Sequence, residues 1–563
     1  MKKLSQKVFA LLLVLVMLLS LTACIQAPVA PQSGNNERPT ASGGDLYYNE
    51  TGYPICDETI TIKVSGRQGN SLNWQNTYVV KYVEEKLGIK LICDPFPNDA
   101  EAAQYTNMLA TETMPDLMLG CTLDKAQVNL DGADGYWLDL SQYLDIMPNL
   151  KKMMEENPAY ASYITTPEGA IYSLSRIAPG EVANSRGHIY YQKSVLEEAY
   201  AGEIKTIDDF YNALKLVKAK YPDKTPLAIT FDALPAYNAD IILRTAFGIN
   251  FNDNSYMLVA DENGVVQLGD ISEANRNYLT WLNKLVDEGL LSVEAMTMSS
   301  SAYRAAIKEG KFVFWSNTGS TGVSADDYSD YGVIAALTSQ YVDETSFVLN
   351  TGVTTQAKIF VSAKTEYPEA ICRLIDFFCS EEGKYMAIYG EEGVHFDLVP
   401  DQFDVDTIQN EKYADLNAYA SAAEWMRATV APDQIFAQYW NFTNEFLDDL
   451  DEETLQLIAS TPSTEDNPNA YQWPAIVQMA LNEVDNLIVA PSALIYTQEE
   501  ANDRKTLYAD LLSYLKAQKI AFVTGTADVT SDATWNAYVS TVKQMGWDKL
   551  QPIEQAAWDR VNG

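Results

Sequence analysis

The chain has 563 residues, of which 39 are basic, 77 acidic and only 2 histidine, with an apolar share of 47%. That length allows two to four domains or one large two-lobed body, and the apolar share is too high for a disordered chain. A net charge of −38 repels phosphate backbones and anionic lipid, which argues against nucleic acid as a partner. Two histidines, His188 and His395, do not build a histidine-rich zinc site.

Lys2, Lys3 and Lys7 precede an unbroken apolar run at residues 8–19, too short for a comfortable bilayer-spanning helix but suited to a secretory signal. Leu21, Thr22, Ala23 and Cys24 then resemble the lipobox of bacterial lipoproteins, which implies lipidation at Cys24 and a signal peptide over residues 1–23. Removing it takes away three lysines and no acid, so −38 becomes −41. Residues 24–56 begin with a Pro-, Ser-, Gly- and Asn-rich stretch without apolar periodicity, expected to be a flexible tether. The body is thus expected on the extracytoplasmic face of the cell membrane, held by its lipid. Five cysteines remain, Cys56, Cys93, Cys121, Cys372 and Cys379, and they read as buried free thiols.

In chain order, residues 59–64 alternate as a strand. A polar loop leads to a helix over 74–87 that Gly88 stops, then a strand at 89–93, a helix at 101–111 and a strand at 116–119. Strands alternating with helices predict a parallel sheet covered by helices. Residues 189–191 are extended, and 207–220 form an amphipathic helix with Thr206 as N-cap. Further helices are predicted over 272–288 and 368–380, a strand over 312–315, and a mostly helical chain from about 433.

Several segments resemble the family 1 extracellular solute-binding proteins of bacterial ABC importers, in the large lipoprotein branch associated with oligosaccharide uptake. They are Asn107-Met108-Leu109-Ala110 with Met114-Pro115-Asp116-Leu117, Pro167-Glu168-Gly169-Ala170, the stretch 278–290, Pro368-Glu369-Ala370 through Gly393, and Phe522-Val523-Thr524-Gly525. The resemblance implies an α/β, two-lobed, periplasmic-binding-protein-like (type II) clamp with a ligand cleft between the lobes and a helical C-terminal region. Lobe one is expected over 57–188 and 351–430, and lobe two over 189–350 and 431–563, with hinge crossings near 189, 350 and 430. It also implies a lipid-anchored component that delivers an oligosaccharide to a membrane permease driven by an ATPase, as a monomer and without a cofactor. Many members of this branch carry an Asp/Asn/Gly-rich calcium loop after the helix that ends here near Lys220. Residues 221–226 offer one carboxylate, Asp223, against the six to eight oxygens calcium takes, so no metal is expected.

A sugar has apolar faces and a rim of hydroxyls, which aromatic rings and polar side chains answer together. Loops following predicted strands therefore supply the candidate ligand-binding residues: Arg67, Asn73 and Trp74, then Asp124, then Tyr237 and Arg244, then Trp315 and Asn317. Trp74 from one lobe and Trp315 from the other are the expected pair of aromatic plates. The charge of −41 favours a neutral oligosaccharide, with Arg67, Arg176, Arg186 and Arg244 as local exceptions. The rival class is a secreted glycan-degrading enzyme, which needs two carboxylates about 5–10 Å apart. A third is a peptide-binding protein or adhesin on the same scaffold. No Gly-x-Ser-x-Gly elbow, phosphate-binding glycine loop or His-Glu-x-x-His motif occurs.

Overall fold

In the strand Ile60–Arg67 alternation buries Ile62 and Val64 and exposes Thr61 and Lys63. It lies parallel to Ile89–Phe96 on one side and Leu117–Leu119 on the other, and Phe360–Val361 closes the sheet antiparallel to Leu117–Leu119. The computed structural model describes residues 47–562 except 70–72, 178–188, 232–239, 251–257, 262, 317–329, 350–355, 401–405, 420, 433–434, 440–449, 451–453, 455–480, 482–483 and 490–493. The crossover between the first two strands begins as a 3-10 turn, Trp74–Asn76, and continues as the α-helix Tyr78–Leu87. Gly88 ends it with φ 75°, where a Cβ would sit 2.0 Å from the Cys56 carbonyl oxygen, so only glycine fits.

A second four-stranded sheet has the order Tyr331–Val333, Ile189–Gln192, Phe312–Ser316, Thr225–Ala228. Ile189–Gln192 is antiparallel to both neighbours, whereas Thr225–Ala228 runs parallel to Phe312–Ser316. The helix Ile207–Lys220 covers it and starts with a capping box, in which Thr206 Oγ1 accepts from Asp209 N at 3.0 Å and the Asp209 carboxylate accepts from Thr206 N.

Each sheet builds its own core. The first gathers Val79, Leu117, Leu150, Ile171, Phe377 and Phe436, and the second Phe210, Leu227, Tyr278, Phe314, Phe347 and Trp535. The first core draws its buried residues from 48–177, 359–388 and 430–437, and the second from 189–347 and 481–550. The chain therefore passes between the two cores three times. This is the mixed α/β, two-lobed arrangement. A division placed at 430/431 needs moving: Ala431, Ile435, Phe436 and Ala437 pack in the first core, where the Phe436 ring stacks on Phe378 at 4.5 Å.

The C-terminal region carries the helices Gln498–Val523, Asp532–Val542 and Asp548–Asn562, and also a strand, Asn486–Val489, parallel to Ser346–Leu349. Its longest helix, about 39 Å by its 26 residues, touches Lys125–Ala133 in the first lobe and Glu273–Asp287 in the second. Cys56, Cys93, Cys121, Cys372 and Cys379 are free thiols, and the tether expected over 24–56 needs shortening, because Tyr48, Ile55 and Cys56 pack in the first core. No helix among the described residues is long and apolar enough to cross a membrane.

Candidate polar site at the chain crossings

The C-terminal edge of the first sheet is built around one close approach. Gly66, with φ 152°, lies so near Leu119 that a Cβ would meet its carbonyl oxygen at 1.9 Å. That brings Arg67, which ends its strand, level with the turn Gly120-Cys121-Thr122. Gly120, at φ 64°, packs against Ile435 from a later crossing. Glu101, at the start of its helix, accepts from Thr122 N at 2.7 Å and from the Thr122 hydroxyl.

Three segments then interlace over this edge. Cys121 N donates to Lys358 O at 3.2 Å, and Lys358 N donates to Leu174 O at 2.9 Å. Ile177 N donates to Gln438 O at 2.8 Å, and Arg176 Nε to Ala437 O at 3.1 Å. Ser175 Oγ donates to Gln356 O at 2.9 Å. Residues 174–177, 356–359 and 437–439 are thus hydrogen-bonded together, and each adjoins a passage of the chain between the two cores.

The side chains gathered here are polar and mostly cationic. Lys358 is buried, and its Nζ donates to Gln356 Oε1 at 2.6 Å. Burial pushes its pKa down to about 7, and the charge of Arg176 adds to that; Cys121 and Glu101 oppose it, while Arg67 reinforces it. Arg67 is half-buried, and its Nε has no acceptor among the described residues. Gln438 is 1% exposed, and neither its Nε2 nor its Oε1 has a partner there. Nearby, Lys125 is buried with its Nζ on Ser173 Oγ at 3.0 Å and Ser173 O at 3.2 Å, and burial lowers its pKa to about 7. Glu101 is the one carboxylate among the groups that shift Lys358, and Thr122 already engages both its oxygens. Such a set has the chemistry to receive polar or anionic groups, and among the described residues no second carboxylate stands beside Glu101 in the groups that act on Lys358.

The residues expected from sequence to bind a ligand are placed unevenly. Arg67 belongs to this cluster. Asp124 is exposed nearby, pairs through its backbone with Gln356, and caps the following helix by accepting from Ala126 N at 3.1 Å. Asn73 is exposed ahead of the 3-10 turn. The two expected plates are a correction, because both rings are interior. Trp74 is 1% exposed, with Nε1 donating to Gln68 O at 3.2 Å. Trp315 is 2% exposed among Tyr190, Ala228, Tyr303 and Phe312, with Tyr331 edge-on at 5.5 Å. Arg244 is buried in the short helix Asp240–Thr245. Tyr237, Asn317, Arg186 and Cys24 lie outside the described residues. Sequence reasoning overlooked Lys358 and Gln438. An available signal was the apolar run Ala357, Ile359, Phe360, Val361 around Lys358, which marks a lysine drawn inside.

No group of three or more potential metal ligands occurs among the described residues. At residues 221–226, Lys218 Nζ donates to Pro222 O at 3.0 Å and to Lys224 O at 3.5 Å, so a lysine ammonium sits on backbone oxygens of that turn.

A family model described as bacterial extracellular solute-binding protein matches residues 77–393, more than half of the chain. The fructooligosaccharide ABC transporter substrate-binding protein FusA of Streptococcus pneumoniae serotype 4 is 22% identical over 558 residues, covering 95% of this chain and 97% of that protein. A solved structure of FusA, an EF-hand mutant in complex with fructo-nystose, superposes with a TM-score of 0.71 at 18% identity, covering 89% of this chain and 99% of the other. The alginate-binding protein AlgQ2, solved without calcium ion, gives a TM-score of 0.68 at 20% identity over 89% and 98% of the two chains. A solute-binding protein of Bifidobacterium longum infantis described as binding HMO gives 0.66 at 18% identity over 90% and 99%.

Proposed function

The chain belongs to the bacterial extracellular solute-binding protein family, and from that premise we propose that it is the carbohydrate-capturing component of an ABC importer. The observation that carries this reading is the near-complete span shared with FusA, 95% of this chain and 97% of that protein, named as an ABC transporter component for fructooligosaccharide. The interlaced segments 174–177, 356–359 and 437–439 agree with it, since each adjoins a passage of the chain between two separate cores.

The lobes of the proposed clamp are residues 48–188 with 351–437, and 189–350 with 438–563. A ligand held between them closes the clamp only through differential affinity, so it must touch both lobes. The closed form then docks on a permease whose ATPase drives import, and the binding protein releases its ligand unchanged. The body is a monomer tethered through lipidated Cys24, with residues 1–23 removed as the signal peptide; the run at 8–19 and the small residues before Cys24 support this.

The test is a thermal-shift panel of oligosaccharides on the purified protein. Binding to the folded state alone must raise the melting temperature at concentrations well above the dissociation constant. A set of oligosaccharides that shift melting and are recovered intact is the expected result. Stabilisation by peptides and by no sugar contradicts the carbohydrate reading, and released reducing ends contradict the non-enzymatic one.

A further inference from the structure

The polar seam carries more information than a hinge requires. Arg67, Arg176 and Lys358 bring three cationic side chains to one edge of a protein with a net charge of −38. Glu101 is the one carboxylate among the groups that shift Lys358, and Thr122 donates to both its oxygens. Arg67 Nε lacks an acceptor among the described residues, and the fully buried Gln438 amide has a spare donor and a spare acceptor on the segment whose backbone receives Arg176 and Ile177. A buried polar group without a partner costs about 1–3 kcal/mol. Two at one seam, among excess positive charge, describe a receptor awaiting an anion with adjacent hydroxyls.

We propose that the oligosaccharide this protein captures carries an anionic substituent, a carboxylate or a sulfate, which seats against Arg67 and Lys358 at the chain crossings while the Gln438 amide takes a neighbouring hydroxyl. This rests on the carbohydrate reading above and replaces the neutral ligand expected from net charge. Net charge governs approach over distances beyond the Debye length of about 8–10 Å, and the groups at the seat govern affinity.

The experiment is calorimetric titration of the whole purified protein with matched oligosaccharides of two to five residues. Each is offered in uronate form, in carboxyl-reduced neutral form and in 6-sulfated form. The expected result is that one anionic form binds about tenfold or more tightly than the neutral form of the same chain, the size of one charge-assisted hydrogen bond. Which anionic form does so separates carboxylate from sulfate. Arg67→Gln removes that preference while leaving the melting temperature of the unliganded protein within a degree or two, because Arg67 Nε holds no partner there; Arg67→Lys restores part of it. Neutral forms that bind as well as or better than both anionic forms overturn the inference and leave the carbohydrate reading standing. No binding of any form, together with no hit in the wider sugar panel, overturns both.

Discussion

Gln438 is buried to 1% exposure with both halves of its amide unbonded among the described residues, and replacing such a group with an apolar one of like shape removes a desolvation cost. Gln438→Met is therefore expected to leave the unliganded protein as stable or more stable, by up to about 1–2 kcal/mol in urea denaturation. The same variant weakens oligosaccharide affinity in calorimetry; unchanged affinity would remove Gln438 from the ligand's path. Trp315 calls for the opposite expectation. Its ring is interior, so Trp315→Ala costs about 3–5 kcal/mol of stability, and a denaturation midpoint near wild type would contradict that packing. The reason the tryptophans misled is local. Phe312, Val313, Phe314 and Trp315 form a continuous apolar run, the pattern of a strand covered on both faces, and Trp315 lies inside that strand, which ends at Ser316. Arg67 was singled out as part of a loop after the strand predicted at 59–64, whereas the strand runs on and ends at Arg67. Gln438 and Lys358 were not, because their burial depends on segments some 180 to 260 residues away in sequence.

Lys358 also sets a pH dependence. Its folded pKa, pushed down to about 7 from 10.5, means that the unfolded chain binds more protons between those values. Stability therefore rises with pH as it passes upward from about 7, with a limiting slope of about 1.4 kcal/mol per pH unit for one proton. Of the groups facing it, Arg176 and Arg67 reinforce that direction and Cys121 and Glu101 oppose it, burial being the largest cause. Lys125 contributes in the same sense. Comparing wild type with Lys358→Met by urea denaturation from pH 7 to 8.5 isolates the effect: the variant's stability climbs less steeply, and equal slopes would contradict the burial of a titrating ammonium.

At the scale of elements, capping and periodicity made most helices readable. Ile207–Lys220 runs over the predicted span because Thr206 and Asp209 cap each other reciprocally, and Thr206→Ala is expected to cost about 1 kcal/mol. One helix start depends on a distant partner. Fully buried Asp376 accepts from Asn149 N at 2.8 Å and Leu150 N at 2.9 Å, and its other oxygen takes Asn149 Nδ2 at 2.8 Å, so it holds the first turn of Pro148–Glu156 from another helix. Asp376→Ala orphans those donors and is expected to cost about 3 kcal/mol or more; a loss under 1 kcal/mol in denaturation would contradict that role. The strand Asn486–Val489 escaped the sequence reading for a related reason. Its partner Ser346–Leu349 lies about 140 residues earlier, and the lock between Thr345 and Asp485, with Thr345 N on Asp485 Oδ2 at 2.8 Å and Asp485 N on Thr345 Oγ1 at 2.9 Å, has no local signature.

For the whole molecule, the division into two lobes was legible through the resemblance carried by segments such as 278–290 and 368–393, and the strand and helix signals alone indicated only a parallel sheet covered by helices. The exact handover was not, since the pairing of Phe436 with Phe378 is a tertiary contact. The helix Gln498–Val523, in contact with both lobes, and the three interlaced segments at the seam make the two halves mechanically linked without fusing their cores. A ligand touching both sides must then change the shape of the protein as well as its stability. Small-angle X-ray scattering of the purified protein, with and without a saturating oligosaccharide chosen from the thermal-shift panel, measures this directly. A smaller radius of gyration on binding, with the sugar recovered intact at one per protein, is the result a two-lobed carbohydrate clamp predicts; an unchanged scattering profile at saturation, or a cleaved sugar, would contradict it.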